Sequence, residues 1–113
     1  MKVITESQFE NDYNNKTVVA LFTANGCFPC SIMKNAVSHV ESKLIKKDVL
    51  EFVSLDIDKN DLLSEELNIN ATPTMIIFHE GKELSRVEGS IATKNIKKTI
   101  AETLSKHNLI QIE

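Results

Sequence analysis

The fold is decided by one short stretch, Asn25-Gly26-Cys27-Phe28-Pro29-Cys30, which holds the only two cysteines of this 113-residue chain. An almost uninterrupted apolar run, Val18-Val19-Ala20-Leu21-Phe22, lies just before it. Such a run is typical of a strand that is buried on both faces, as in the centre of a sheet covered by helices. The cysteines therefore lie where a buried strand, predicted over 17–23, gives way to the next element.

That next element is a predicted helix that runs to about Lys47. Its apolar residues are spaced by three and four positions, which places them on one continuous face of the helix. They are Cys30, Met33, Val37, Val40 and Leu44. We expect this face to pack on the sheet, and it includes the second cysteine.

The rest of the chain alternates between strand and helix patterns. A capping box at Thr5-Glu6-Ser7-Gln8 predicts the first helix, because its hydroxyl and amide groups satisfy otherwise unpaired backbone N–H groups. Further strands are predicted at 2–5, 49–55, 75–78 and 83–87, and further helices at about 61–67 and around 96–104. The sequence therefore predicts an α/β protein with one mixed sheet and helices on both of its faces.

Two details of this arrangement are also predicted. Strands separated by helices are expected to be parallel, and the last two strands are expected to form an antiparallel hairpin. Asn68 is expected to end the third helix in a left-handed conformation, which asparagine tolerates.

Composition limits the class of protein. A chain of 113 residues is long enough for one domain, 1–113, and too short for two. Its net charge of −3 gives no electrostatic reason to expect nucleic acid or an anionic membrane as a partner. No stretch approaches the ~20 apolar residues of a membrane span, and the polar residues 5–12 do not resemble a signal peptide. We therefore expect a cytoplasmic protein in a reducing compartment.

The two cysteines have the spacing of a dithiol that opens and closes as a disulfide. Residues three apart on a helical turn lie on one face, close enough to be bridged with little movement. Cys27 lies at or just before the helix start, where unpaired N–H groups and the helix dipole favour a thiolate, so it is the predicted nucleophile. Cys30 lies on the buried face, which suits a protected resolving thiol. Pro29 fits the first turn, where its missing N–H would have no intrahelical partner.

Other uses of the pair fit the sequence less well. A zinc or iron–sulfur site needs about four ligands, and the chain offers two cysteines and three scattered histidines. No metal is therefore expected, although a site shared between subunits stays open. A purely structural disulfide is not favoured either, because a four-residue loop constrains the unfolded chain little.

Four motifs together resemble the thioredoxin family, and the resemblance covers nearly the whole chain. They are Ala24-Asn25-Gly26-Cys27-Phe28-Pro29-Cys30, Leu55-Asp56-Ile57-Asp58, Ala71-Thr72-Pro73-Thr74, and Phe78-His79-Glu80-Gly81-Lys82 followed by Gly89. The resemblance implies the thioredoxin fold and a general protein-disulfide reductase that works through Cys27 and Cys30.

The resemblance also implies the surroundings of the dithiol. Pro73 is expected to be cis and to pack beside the cysteines, and Thr72 is expected to offer backbone groups to an extended substrate. Gly26, Phe28 and Gly89 complete the substrate-binding residues that it implies, with Phe28 and Pro29 supporting the active site.

Partners and cofactors follow from the same resemblance. The partners implied are disulfide-containing target proteins and a thioredoxin reductase, usually an NADPH- or ferredoxin-linked flavoenzyme. No tightly bound cofactor is implied, and a monomer is expected.

The chain also departs from the family pattern. Next to the first cysteine, Gly26 stands where the family usually has Trp, and Phe28 stands where it usually has Gly. In the helix that follows, Asn35 replaces the usual Pro. Leu21 stands at the position of a buried Asp, and Ser54 at the position of a Lys often paired with it. Because the Asp and the Lys are both absent, neither is left in the core as an unpaired charge. Which group deprotonates Cys30 stays open.

These departures keep a second hypothesis open, from a different class of protein. The chain could be a thioredoxin-fold module or subunit that binds extended peptides, with the dithiol incidental. A glutaredoxin-like enzyme fits less well, because that family usually carries Cys-Pro-Tyr-Cys and glutathione contacts that this sequence does not show.

Overall fold

The computed structural model describes residues 1–44 and 50–109. In these residues the elements are β1 (Lys2–Val3), α1 (Glu6–Asp12), β2 (Thr17–Thr23), α2 (Phe28–Lys43), β3 (Glu51–Asp56), α3 (Asp61–Glu66), β4 (Thr74–His79), β5 (Lys82–Glu88) and α4 (Thr93–Lys106).

The strands of the described residues form one mixed sheet in the order β1-β3-β2-β4-β5. Strands β1 and β2 both pair in parallel with β3, whereas β4 is antiparallel to both β2 and β5. Helices α2 and α4 cover one face, and α1 and α3 cover the other. The predicted fold class, a mixed sheet with helices on both faces, is confirmed.

Strand β2 lies at the centre of the sheet and is buried on both faces. Val19 and Leu21 point into the core beneath α2 and α4, whereas Val18, Ala20 and Phe22 point into the core beneath α1 and α3. All five side chains are fully buried. The alternating contacts explain why the sequence of this strand shows no polar alternation, and they confirm its predicted burial.

Helix α2 packs its predicted apolar face on the sheet but ends earlier than predicted. Cys30, Met33, Val37 and Val40 are buried. The helix ends at Lys43, because the backbone of Leu44 is already extended (φ −79°, ψ 138°). Leu44 still packs against the core, so the apolar spacing continued one residue past the helix. The predicted continuation to Lys47 and the predicted strand start at 49 involve residues 45–49, which lie outside the described residues.

The prediction that strands separated by helices are parallel is wrong for β4. Helix α3, between β3 and β4, has six residues and is ~9 Å long, whereas a six-residue strand spans ~20 Å. A helix this short does not return the chain to the opposite edge of the sheet. Strand β4 therefore begins at the edge where β2 and β3 end, and it runs back between β2 and β5.

The N-termini of α1 and α3 cap each other. The Asn60 side chain accepts a hydrogen bond from the Glu6 N–H (2.7 Å), and the Glu6 carboxylate accepts one from the Leu63 N–H (2.9 Å). The predicted capping box between Thr5 and Gln8 is also present. Asn68 follows α3 with φ 55°, which confirms its predicted left-handed conformation.

Candidate active site

The two cysteines lie at the first turn of α2 and are joined by a disulfide, with 5.3 Å between their Cα atoms. Cys27 is the N-cap residue, and its Sγ accepts a hydrogen bond from the Cys30 N–H at 3.2 Å. Pro29 occupies a position of this turn where no backbone donor is needed. The helix start therefore holds the Cys27 sulfur against a backbone N–H, an arrangement that stabilises a thiolate once the disulfide opens.

The two sulfur-bearing residues differ sharply in their exposure. Cys27 is partly exposed, whereas Cys30 is only 3% exposed because it belongs to the buried face of α2. A protein partner can therefore reach Cys27 first.

The segment that precedes β4 lies against Cys27. The Thr72–Pro73 peptide bond is cis, and Pro73 is buried. The Thr72 hydroxyl oxygen lies 3.6 Å from the Cys27 Sγ, and the Thr72 carbonyl oxygen lies 3.7 Å from the same atom. In the disulfide only the hydroxyl can donate to sulfur, and it could donate equally to a thiolate. The carbonyl could instead accept from a protonated thiol.

The direction of β4 is what brings these groups together. Because β4 is antiparallel to β2, with Phe22 opposite Thr74, the start of β4 lies beside the end of β2. The end of β5 lies there as well, since Thr74 is opposite Glu88. The Gly89 N–H then donates to the Pro73 carbonyl at 2.7 Å, and Gly89 has φ +88°. One edge of the sheet thus carries the dithiol, the Thr72–Pro73 segment and Gly89.

The loops that carry the dithiol, the Thr72–Pro73 segment and Gly89 are uncharged and partly apolar, whereas Asp56, Asp58 and Lys59 lie at the end of the neighbouring β3. We define the site loops as residues 24–27, 69–73 and 89–92; they contain no Asp, Glu, Lys or Arg, although 26% of the chain is charged. Phe28 is 75% exposed at the start of α2, and Ile32, one turn later, is 49% exposed. Gly26 has φ +74°, with open space on its side-chain side.

The core behind the dithiol carries no charge in the described residues. Leu21 and Ser54, at the positions of the family's Asp and Lys, are register partners on β2 and β3, and both are buried. Among residues 1–44 and 50–109 the buried polar side chains are all neutral: Thr23, Ser54, Asn60, Ser64, Thr74 and Thr103. Proton transfer from Cys30 therefore has no buried carboxylate to rely on in this part of the chain.

The hydroxyl of Thr72 is the site group that sequence reasoning missed. The family resemblance implied a role for the backbone of this residue alone. The available signal was a hydroxyl-bearing residue immediately before Pro73, the proline expected to pack beside the cysteines. Its contact with Cys27 makes Thr72 a polar neighbour of the predicted nucleophile through both its backbone and its side chain.

The described residues contain neither a cluster of metal ligands nor a membrane-spanning helix. No group of three or more His, Cys, Asp or Glu side chains lies close enough to hold a metal ion in the part of the chain the structure describes. No helix within residues 1–44 and 50–109 has the length and apolar character needed to cross a bilayer.

The fold and this site define an α/β protein with a disulfide-forming Cys-x-x-Cys pair at a helix start, beside a cis-proline segment. The family model for thioredoxin matches residues 1–102. The chain belongs to the thioredoxin family.

Individual relatives agree with this assignment. The chain is 31% identical over 107 residues to a thioredoxin from Griffithsia pacifica, covering 94% of this chain and 93% of that protein. It is 35% identical over 77 residues to thioredoxin H2 from Arabidopsis thaliana, covering 68% of this chain and 56% of that protein. The chain thus spans only about half the length of several curated relatives that it matches.

A solved structure agrees as well. The thioredoxin of Malassezia sympodialis superposes with a TM-score of 0.81 at 26% identity, covering 91% of this chain and 90% of that one.

Proposed function

We propose that this protein is a thiol–disulfide oxidoreductase that reduces disulfides in other proteins. The observation that carries the proposal is the asymmetry of the pair: Cys27 is a partly exposed N-cap whose sulfur receives a backbone N–H, and Cys30 is buried one turn further on. Family membership supports the same activity.

The proposed reaction has two exchange steps. The Cys27 thiolate attacks one sulfur of the target disulfide; that S–S bond breaks, and the released target thiolate takes up a proton. The Cys30 thiolate then attacks the Cys27 sulfur of the mixed disulfide, which releases the second target thiol and closes the Cys27–Cys30 disulfide. Two electrons have moved from the dithiol to the target.

The residues around the dithiol are proposed to hold an extended segment of the target. The backbone of Thr72 would form hydrogen bonds with this segment, and Gly26, Phe28 and Gly89 would contact it. Pro29 and Pro73 would fix the conformation of the backbone around the cysteines. The uncharged site loops and the exposed Phe28 ring support a target segment that is itself apolar or uncharged.

Regeneration of the dithiol requires a second partner. We propose a thioredoxin reductase that passes two electrons to the Cys27–Cys30 disulfide. The protein itself would need no tightly bound cofactor, since the chemistry takes place between sulfur atoms.

The test uses the two single cysteine variants and a model disulfide protein. Cys27→Ser is expected to abolish turnover, because no attacking thiolate remains. Cys30→Ser is expected to accumulate the mixed disulfide, visible as a covalent adduct on a non-reducing gel. Normal turnover in Cys30→Ser would show that Cys30 is not the resolving thiol, and turnover in Cys27→Ser would overturn the proposal.

A second candidate is a peptide-binding thioredoxin module whose dithiol is incidental. Its support is the neutral core at Leu21 and Ser54, combined with an exposed apolar residue at Phe28. A protein with negligible turnover whose double Cys→Ser variant bound its partner unchanged would be such a module.

The oligomeric state and the cellular compartment are part of the same proposal. We propose that residues 1–113 act as one monomeric domain in the cytoplasm, where a reductant can be kept in its dithiol form. Light scattering gives the mass in solution, and acid-quenched alkylation of cell fractions gives the compartment and the reduced fraction of Cys27. A dimer, or a pool that is fully oxidised in its compartment, would contradict this part.

A further inference from the structure

We propose that Asn25 is a site of spontaneous deamidation, and that the carboxylate formed there slows the reactions of Cys27. The chemical step is independent of the proposed function. Its consequence for target reduction rests on that function.

The sequence places the reactive dipeptide beside the nucleophile. Asn25 is followed by Gly26, and the other two glycines follow Glu80 and Glu88, so this is the only Asn-Gly pair in the chain. In deamidation the backbone nitrogen after an asparagine attacks the side-chain amide carbon. Glycine has no Cβ to obstruct that approach, which makes Asn-Gly the most susceptible pair.

The structure leaves this pair open to the reaction. Asn25 and Gly26 are both exposed, and they lie in the turn between the end of β2 and the N-cap of α2. No atom lies within 4 Å of the position that a Gly26 Cβ would occupy. Within the described residues neither the Asn25 side chain nor the Gly26 N–H has a hydrogen-bond partner in the protein. No secondary-structure bond therefore holds the attacking nitrogen away from the amide.

The step needs water and no other reactant. The Gly26 nitrogen, after losing its proton to solvent base, bonds to the Asn25 side-chain carbonyl carbon, and the C–N bond to the side-chain amide breaks. Ammonia leaves, and a five-membered succinimide remains. Water then opens the ring at either of its two carbonyls, which gives aspartate or isoaspartate.

The product changes the electrostatics of the site. The loop from Ala24 to Cys27 carries no charged side chain. A carboxylate formed at position 25 lies two residues from Cys27, with at most ~7.6 Å between the Cα atoms. At such a separation a like charge disfavours the Cys27 thiolate about two- to fivefold. An isoaspartate also adds a methylene to the backbone just before the N-cap, which moves the sulfur relative to the Cys30 N–H.

The first experiment measures the modification. Wild-type protein is held in mildly alkaline buffer and digested at intervals, and peptides containing Asn25 and Asn70 are followed by mass spectrometry. Asn70 is a matched internal control, because it is exposed at the same edge of the sheet but is followed by Ala71. We expect progressive loss of the amide at Asn25 while Asn70 keeps its own, and no loss at position 25 in Asn25→Gln. Equal rates at Asn25 and Asn70 would overturn the proposal.

The second experiment measures the consequence. Reduced Asn25→Asp and Asn25→Gln are alkylated with iodoacetamide at neutral pH, and the rate at Cys27 is compared. We expect Asn25→Asp to react about two- to fivefold more slowly at low salt, with the difference shrinking near 1 M salt, where the Debye length is ~3 Å. Equal rates in the two variants would overturn the claimed effect on Cys27. Neither experiment uses a target protein or a reductase, so both come out as expected even if the protein reduces no disulfide.

Discussion

At the residue scale, Thr72 places a hydroxyl group beside Cys27, the predicted nucleophile. Its hydroxyl lies 3.6 Å from the Cys27 sulfur, and the described core behind the pair is neutral. A hydrogen bond to a charged group contributes more than one between neutral groups. The hydroxyl is therefore well placed to stabilise a thiolate at Cys27.

Replacing Thr72 by Val removes this donor while keeping the shape of the side chain. We expect alkylation of reduced Cys27 by iodoacetamide at neutral pH to slow by about two- to tenfold, equivalent to ~0.5–1.5 kcal/mol. Thr72→Ser keeps the hydroxyl and should restore the rate. If Thr72→Val and Thr72→Ser react equally fast, the hydroxyl does not act on the sulfur.

Phe28 offers a prediction about target binding. Because its ring is 75% exposed, Phe28→Ala should change the free energy of unfolding by no more than ~0.5 kcal/mol. The KM for a protein disulfide should rise several-fold, whereas alkylation of Cys27 by a small reagent should not change. Leu62→Ala is the matched control, since Leu62 is 71% exposed but lies on α3. An equal rise in KM for both variants would mean that Phe28 has no special role.

The positions of the two cysteines could be predicted from the sequence, whereas the contacts between the loops around them could not. The Cys-x-x-Cys spacing and the buried strand before it already indicated which cysteine would be the N-cap and which would be buried. The hydrogen bond from the Gly89 N–H to the Pro73 carbonyl joins loops sixteen positions apart, and no local pattern encodes such a contact.

At the scale of elements, the mutual caps of α1 and α3 join two helices that are far apart in sequence. Glu6→Ala should cost ~1 kcal/mol of unfolding free energy, because the Leu63 N–H loses its acceptor. Asn60→Ala should cost ~2 kcal/mol, since Asn60 is buried and its side chain also donates to the Asp56 carbonyl.

The two caps are expected to be coupled. Losing either one loosens the contact that the other requires, so the double variant should cost less than the sum, by ~0.5–1 kcal/mol. Urea denaturation measures all three variants, and Glu10→Ala, exposed on α1, controls for changes in helix propensity. Strict additivity would show that the caps act independently.

The direction of β4 shows why element order alone did not determine the topology. A helix pattern between two strands usually indicates a parallel crossover, and the sequence carries such a pattern over 61–67. The predicted helix, 61–67, and the observed one, Asp61–Glu66, differ by only one residue, and both are shorter than the dozen or more residues that a parallel crossover needs. The start of β4 beside Cys27 therefore follows from the length of this helix and not from the order of the elements.

At the scale of the whole molecule, burial of Tyr13 links stability to alkaline pH. Its pKa is raised above 10.0, first by burial and then by the negative charge of Glu51. The fold therefore favours the neutral phenol. This contribution to stability is fully present below about pH 10, and it is lost as pH rises through the higher pKa of the folded state.

The variant Tyr13→Phe should remove this dependence. Denaturation curves from about pH 8 to about pH 11 are expected to show wild-type stability falling more steeply than that of Tyr13→Phe above about pH 10. Changes in the charge of the other lysines affect both proteins alike and cancel in the difference, whereas Lys16 interacts with Tyr13 directly, because its Nζ lies 5.2 Å from the ring centroid and its charge lowers the Tyr13 pKa. Parallel curves over the whole range would contradict the assignment to Tyr13.

The pairing of β1 with β3 has a consequence for synthesis of the chain on the ribosome. Lys2 lies opposite Val53 in the sheet, and the Ile4 N–H donates to the Ser54 carbonyl. Residues 2–4 consequently have no partner from β3 until residues 51–56 have also emerged from the exit tunnel. Contacts of such long sequence separation form late and slowly. Strand β1 is therefore translated well before it can join the sheet, and until then it is open to chaperones and proteases.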